Sequence, residues 1–171
     1  MPKEVDNSSI LIKIKEQLYN PCNFCISDLK LEEESQDYGA CRFVLNGKKI
    51  IFREAKITPT KTGQFVTLWK RNLENKIQPF AENDDFDFVV ISTKSNANLG
   101  QFVFPKSVLK DQKILSYSNN KGKLAIRVYP SWDQVISKQA IKTQLWQLHY
   151  FLRLSEKEMV TIELAKKLYQ L

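Results

Sequence analysis

The dipeptide Asn46-Gly47 stands between two segments in which apolar and polar residues alternate, CRFVL (41–45) and KKIIFREAKI (48–57). Asparagine and glycine both accept positive φ angles. The tight turn that joins two antiparallel strands requires such angles at both of its central positions. The pattern therefore predicts a β-hairpin at this point of the chain.

Periodicity predicts the other elements. The run FDFVVIS (86–92) is almost continuously apolar, which is typical of a central strand buried on both faces. Alternation predicts further strands at QFVTLWKR (64–71), GQFVF (100–104) and KLAIRVY (123–129). Helices are predicted at about 9–19, 105–109, 134–152 and 155–171, whereas the polar, acidic residues 28–38 predict a loop or a short helix.

Four details of packing follow from these patterns. In the first helix Ile10, Ile14 and Leu18 are expected on one face. In the helix at 134–152 the expected buried stripe is Ile141, Leu145, Leu148 and Leu152, with Gln144, Gln147 and Tyr150 off it. In the last strand Leu124, Ile126 and Val128 are expected to face the core. The last helix is expected to begin at a capping box formed by Ser155 and Glu158.

One helix, several mostly antiparallel strands and then two helices predict the α+β class, with a mixed, mainly antiparallel sheet flanked by helices. The 171 residues contain no repeats, low-complexity tracts or linkers, so a single domain over residues 1–171 is expected. No run of about 18 apolar residues is present. We therefore expect no membrane partner and a cytoplasmic location.

The net charge of +7 is unevenly distributed. Residues 41–71 hold 8 cations and one acid, and residues 100–132 hold 6 cations and one acid. Residues 1–40 hold 4 cations and 8 acids, and residues 72–99 hold 2 and 5. If the two basic blocks fold together, they form a positive face that attracts polyanions. The alternative is that they are solubilising surface.

The basic blocks also carry aromatic rings. Lysine and arginine contact phosphates, and exposed rings stack on unpaired bases. The candidate nucleic-acid-binding residues are Lys56, Lys61, Gln64, Trp69, Lys70, Arg71, Lys106, Lys121, Lys123, Arg127 and Tyr129, with Gln101, Gln144 and Gln147 as further hydrogen-bonding groups. Because no recognition helix is visible, single strands are favoured over a duplex. The alternative for each tryptophan is a place in the core.

A second hypothesis is a metal-dependent nuclease. Glu54-Ala55-Lys56 forms an E-x-K pattern, which on one strand places both side chains on the same face. A carboxylate can hold Mg²⁺ while the lysine stabilises charge on a phosphate, as in PD-(D/E)XK nucleases. The further acid and metal ligand would be Asp37 or Asp84, and neither completes the pattern. The alternative for E-x-K is a surface ion pair without a cofactor.

Cys22 and Cys25 have C-x-x-C spacing, which suits zinc or redox chemistry. A zinc site would need Cys41 and His149 to complete four ligands. A redox motif would stand at a helix start, whereas this one follows a predicted helix. The three cysteines are therefore expected to be ordinary core or surface residues.

Several ordered segments together resemble the MepB family: residues 55–71, IQPF (77–80), GQFVFPKSVL (100–109), RVYPSWD (127–133) and TQLWQLHYF (143–151). The resemblance covers about residues 38–152. It implies a bacterial, cytoplasmic protein on a degenerate PD-(D/E)XK, restriction-endonuclease-like core that acts through nucleic acids without its catalytic acids. The family's namesake lies in an operon with a multidrug efflux pump and its repressor, which implies a link to drug response.

Three functional hypotheses result. The first is binding of nucleic acid, single-stranded RNA or DNA. The second is a metal-dependent nuclease, because Glu54 is an acid where the resemblance implies a non-acidic residue. The third is a protein-interaction module whose basic face meets an acidic partner.

Overall fold

The computed structural model describes residues 9–154 and 162–171. The described helices are α1 (Ser9–Ile14), which continues as a π-helical turn (Lys15–Tyr19), α2 (Lys106–Asp111), α3 (Lys138–Gln147) and α4 (Ile162–Tyr169). The described strands are β1 (Ile26–Leu31), β2 (Cys41–Leu45), β3 (Lys48–Glu54), β4 (Lys56–Ile57), β5 (Gln64–Thr67), β6 (Trp69–Arg71), β7 (Ile77–Pro79), β8 (Phe88–Ser95), β9 (Asn98–Pro105), β10 (Ala125–Val128) and β11 (Phe151–Arg153). Short 3₁₀ segments are Gln36–Tyr38 and Leu148–Tyr150.

The main sheet has six strands in the order β1-β2-β3-β8-β9-β11. Its neighbours are antiparallel except for β3 and β8, which are parallel. The predicted α+β class with a mixed, mainly antiparallel sheet is confirmed. Residues 88–93 of β8 are buried without interruption, as predicted for a central strand.

The hairpin at Asn46-Gly47 is also confirmed. It joins β2 to β3, and the two turn residues have φ angles of 47° and 84°. In α1 and its π-helical extension, Ile10, Ile14 and Leu18 are buried as expected. Local sequence patterns therefore predict the β2–β3 hairpin and the buried face of α1.

Two smaller sheets contain the strands that lie between β3 and β8 in sequence, and the later strand β10 joins one of them. One has the order β10-β5-β4 and the other is the two-stranded ribbon of β6 and β7. The predicted continuous strand at 64–71 is wrong, because it breaks at buried Leu68 and its halves enter different sheets. The Leu68 amide still donates to Leu124 O at 2.8 Å, so the chain changes sheet directly after its pairing with β10 ends.

A separate apolar core covers each face of the main sheet. One core contains residues of α1 and α4 together with Phe43, Phe52 and Val90. A buried polar chain crosses it: Tyr19 Oη and Tyr169 Oη are 2.8 Å apart, and the Tyr169 hydroxyl donates to Gln101 Oε1. Burial raises the pKa of both tyrosines. This polar chain connects α4 to β9 of the main sheet and to the π-helical turn after α1.

The other core contains residues of β5, β10 and α2 together with Val89, Ile91 and Phe104. Trp132 and Trp146 pack against its edge, half-buried. Trp69, on the ribbon, is also half-buried. The tryptophans thus take intermediate positions between the core and the surface.

Three expectations about packing are wrong. A loop or a short helix is predicted at residues 28–38, but residues 26–31 form an edge strand, because they pair with β2 around a bulge at Asp28 (φ 54°). The helix predicted at 134–152 ends at Gln147, and the chain then passes through a 3₁₀ turn into β11. Ile141 and Leu145, which are expected on its buried stripe, are exposed. Leu124 is exposed because it precedes β10, whereas Ile126 and Val128 are buried. The predicted capping box at Ser155 and Glu158 lies outside the described residues.

Arg53 is a fully buried cation in the main sheet. Its Nη1 lies 2.5 Å from Glu32 Oε2 and donates to Phe52 O at 2.9 Å. Glu32 also accepts from Arg42 Nε at 2.6 Å. Burial lowers the pKa of Arg53, and the charge of Glu32 opposes this shift. Because a buried charge needs a partner, this pair fixes the segment after β1 against β3.

Replacing Arg53 by methionine removes the buried cation and leaves Glu32 with Arg42 alone. We expect Arg53→Met to lower the free energy of unfolding by about 3 kcal/mol, because the remaining carboxylate loses its buried partner. Urea denaturation followed by tryptophan fluorescence measures this. The matched control is Arg42→Met, where the side chain is 39% exposed and a loss below about 1 kcal/mol is expected. Equal losses in both variants would contradict the assignment.

Candidate nucleic-acid interface

A groove of about 410 Å³ runs between β10 and α3. Four of the residues that the sequence singled out within the basic blocks line it: Lys61, Lys123, Arg127 and Tyr129. They come from the two basic blocks, which the fold brings together here because β10 pairs with β5. None of the described lining residues is acidic. The groove therefore combines three cations and aromatic surface without an opposing charge.

Two carboxamides on α3 hold the helix beside β10. Gln147 Oε1 accepts from Tyr129 N and its Nε2 donates to Arg127 O, both at 2.9 Å. Gln144 Nε2 lies 3.0 Å from both Pro130 O and Asp133 O. Gln147 is fully buried, so the expectation that it lies off the buried face is wrong. The spacing of the two glutamines by three residues, which places them on one helix face, is the sequence pattern that indicates this role.

Arg127 is fixed by the turn between β4 and β5. Its Nη2 donates to Thr58 Oγ1 at 2.6 Å, and its Nη1 lies 3.2 Å and 3.3 Å from Thr62 O and Gly63 O. The guanidinium is therefore held in place before any ligand arrives. A cation fixed in this way loses little conformational entropy when it contacts a phosphate.

Gly63 allows the Tyr129 ring to lie against this turn. Gly63 has a φ angle of +83°, and a Cβ atom built on it would lie 2.6 Å from Tyr129 Cε1. Tyr129 is half-buried, with part of its ring exposed to the groove. Trp146 lines the same groove and packs on Phe104, with 5.3 Å between ring centroids.

The cations of the β6–β7 ribbon differ from those of the groove, because acids pair with them. Lys70 bonds Asp84, and Arg71 Nε lies 2.7 Å from Glu34 Oε1. Lys106 donates to Asp84 O. Residues 55–71 contain no acid, but the fold supplies acids from elsewhere. Its positive charge is therefore largely compensated.

The remaining candidates lie in scattered places. Gln64 and Gln101 are buried, so in this structure neither side chain is open to a ligand. Lys56 is exposed, with its Nζ 5.1 Å from the centre of the Tyr38 ring. Lys121 is exposed in the loop before β10.

The E-x-K pattern predicts Glu54 and Lys56 on one face of a single strand, but the two residues lie on different strands. Glu54 ends β3 and lies 3.3 Å from Lys94 Nζ, whereas Lys56 belongs to β4 in another sheet. The chain leaves the main sheet at Ala55, which is buried. Asp84 is bonded to Lys70 and to Ala81 N. Asp37 lies exposed in a 3₁₀ turn.

Within residues 9–154 and 162–171, no three His, Cys, Asp or Glu side chains form a group that could hold a metal ion. Cys22 and Cys25 are both free thiols, the first buried and the second exposed. In the same described ranges the helices lack the length and apolar character that spanning a lipid bilayer requires.

A family model described as MepB-like matches residues 32–153. This chain belongs to the MepB-like family. The solved crystal structure of MepB is 39% identical to it, with a TM-score of 0.73, over 75% of this chain and 86% of that chain. A bacterial homing endonuclease, I-Ssp6803I, is 16% identical with a TM-score of 0.44, over 80% of this chain and 88% of that chain. No curated protein matches this MepB-like chain.

The contact between Gly63 and Tyr129 predicts a difference between two glycine variants of this MepB-like protein. Gly63→Ala introduces both a strained φ angle and a clash with the ring, so we expect a loss of about 2–3 kcal/mol in the free energy of unfolding. Gly47 has a similar φ angle of +84°, but nothing lies within 4 Å of its built Cβ. Gly47→Ala should therefore cost only about 1 kcal/mol. Thermal denaturation compares the two, and equal losses would show that the ring is not held there.

The cysteines predict selective alkylation. Burial raises the pKa of Cys41 to about 12 and also raises the pKa of Cys22. Because only the thiolate reacts, and the thiolate is roughly one part in 10⁴ of Cys41 at pH 8, this residue should react slowly. Iodoacetamide should label exposed Cys25 first, and mass spectrometry of tryptic peptides at timed intervals measures the order. The rate of Cys41 labelling in the native protein should rise about tenfold with each pH unit, because below its pKa the thiolate fraction does so. Equal rates for Cys25 and Cys41 at pH 8 would contradict this assignment.

Proposed function

We propose that this MepB-like protein binds single-stranded nucleic acid in the groove between β10 and α3. The observation that carries the proposal is the composition of the groove: Lys61, Lys123 and Arg127 line it, no described lining residue is acidic, and Tyr129 and Trp146 add aromatic surface. Fixed cations beside aromatic rings are the combination that binds unpaired strands.

The charge of the groove favours a polyanion over a neutral ligand. Lys61 and Lys123 are exposed, and Arg127 is half-buried and held by the adjoining turn. Each phosphate contact releases counterions from the strand, so affinity gained in this way falls steeply with salt. The ribbon cations are less suitable, because a phosphate must first displace Asp84 or Glu34.

The shape of the groove favours a single strand over a duplex. The aromatic side chains line a concave wall and do not project from the surface. Duplex readout requires an element that enters the major groove of DNA. In contrast, a flexible strand can enter a groove and place its unstacked bases against protein rings.

The test is fluorescence anisotropy of a labelled single-stranded RNA oligonucleotide across a salt series. Lys61→Ala/Lys123→Ala should weaken binding and reduce the slope of log K against log salt by about 1.4, since each single-strand phosphate contact contributes about 0.7. The matched control is Lys13→Ala/Lys15→Ala, which removes two exposed lysines at α1 and its π-helical turn, on the other face of the main sheet.

Binding with an unchanged slope in the groove variant, or equal effects in both variants, would remove the groove from the interface. Absence of binding at low salt would overturn the proposal. A third variant, Lys70→Ala/Arg71→Ala, should change the slope by less than the groove variant because its side chains are already paired with acids.

A further inference from the structure

Part of the β10 backbone directs its N–H and C=O groups towards the groove and away from the partner strand β5. Leu68 N donates to Leu124 O, so Leu124 and the residues two and four further along β10 bond towards β5. In an antiparallel pair, the residues between them point their N–H and C=O groups away from the partner strand. Ala125 and Arg127 therefore direct these groups to the side where α3 lies.

Gln147 confirms this direction independently. Its amide bonds Arg127 O and Tyr129 N, an acceptor and a donor two residues apart on the outward side of the strand. A neighbouring parallel strand would bond the same two groups with the N–H and C=O of one of its residues. The side-chain amide of Gln147 therefore makes the two hydrogen bonds that one residue of such a strand would make.

The preceding pair on the same edge has the same geometry. Ala125 O and the Arg127 N–H again offer an acceptor and a donor two residues apart. Within residues 9–154 and 162–171, β5 lies on the opposite side of β10, and Gln147 bonds only the next pair. Both residues line the groove. The vacant pair fits a planar group that carries one donor beside one acceptor.

The Watson–Crick edge of a nucleobase is such a group. Adenine offers its N6 amino group beside N1, and the other bases offer similar adjacent donors and acceptors. Lys61, Lys123 and Arg127 supply the charge that a nucleotide phosphate requires, and Tyr129 and Trp146 supply aromatic surface for the base.

An extended peptide fits this edge less well. A peptide that adds to a sheet forms several successive hydrogen-bonded pairs along the edge. Here Gln147 already occupies the neighbouring pair, so a peptide strand could bond only one. A peptide backbone also carries no charge to match the three cations of the groove.

We propose that Ala125 O and the Arg127 N–H bind the Watson–Crick edge of an unpaired base. The inference rests on the proposed function, since the phosphates bring the strand into the groove. It adds that the protein distinguishes a strand by its free base edges, and that base pairing or base removal abolishes this part of the affinity.

The experiment compares three labelled probes with the same number of phosphates per strand: a single-stranded RNA, an abasic strand and a fully paired duplex. At 0.15 M salt we expect the base-containing strand to bind about tenfold more tightly than the other two. Ala125→Ile enlarges the wall beside the vacant pair without changing charge, and isoleucine favours strand structure more than alanine does. This variant should bind the base-containing and abasic strands within about twofold of each other. The matched control is Ala97→Ile, in the exposed β8–β9 turn.

A second measurement needs no variant. The hydrogen-exchange rate of the Arg127 amide should fall when the base-containing strand binds and should stay unchanged when the abasic strand binds. The Tyr129 amide, already bonded to Gln147, serves as the internal control in the same NMR-detected exchange experiment.

The outcomes separate the two proposals. Equal affinity for the base-containing and abasic strands, with the salt dependence intact, would overturn the base-edge inference and leave the proposed function standing. Failure of every strand to bind would overturn both. A polyglutamate peptide that competes as well as the RNA and protects the Arg127 amide would overturn the inference in favour of an acidic polypeptide.

Discussion

The parallel pairing of β3 with β8 determines how the rest of the molecule is arranged. Two parallel neighbours cannot be joined by a tight turn, because the chain must return to the starting end of the sheet. Residues 55–87 make this return, and they form β4, β5 and the β6–β7 ribbon on the way. The groove exists because this crossover supplies β5, the strand on which β10 later docks.

The same crossover explains why the E-x-K pattern does not form a single site. Periodicity places residues 54 and 56 on one face only if the strand continues through both. The chain instead leaves the main sheet at Ala55, so Glu54 stays with β3 while Lys56 joins β5. A motif of three residues cannot record where a strand ends, because that end depends on pairing with β8, more than thirty residues later.

The parts of the fold that sequence predicted are those with a local cause. The Asn46-Gly47 turn, the buried strand β8 and the apolar face of α1 each follow from a few neighbouring residues. The face of α3 was not predictable in this way. Its apolar residues Ile141 and Leu145 indicated the buried side, but the exposed backbone edge of β10 required an amide, and Gln147 supplies it.

The candidate site was predicted in its chemistry and only partly in its location. Both basic blocks contribute to the groove, as expected from the charge distribution. However, residue type alone does not distinguish the cations that the fold pairs with acids from those that it leaves in the groove. Lys70 and Lys123 both lie in basic blocks of the sequence, but in the fold Lys70 is paired with Asp84 whereas Lys123 lines the groove. Long-range pairing, rather than residue type, decides which charges face solvent.

The bulge in β1 has a consequence for how these molecules behave in a crowded solution. β1 is an outer strand of the main sheet, and its side chains are largely exposed. A regular outer strand presents a row of unpaired amides and carbonyls that can recruit the same strand of another molecule. At Asp28 the positive φ angle and the shift in register between Ser27 and Lys30 interrupt that row. The bulge at Asp28 thus makes β1 a poor template for aggregation.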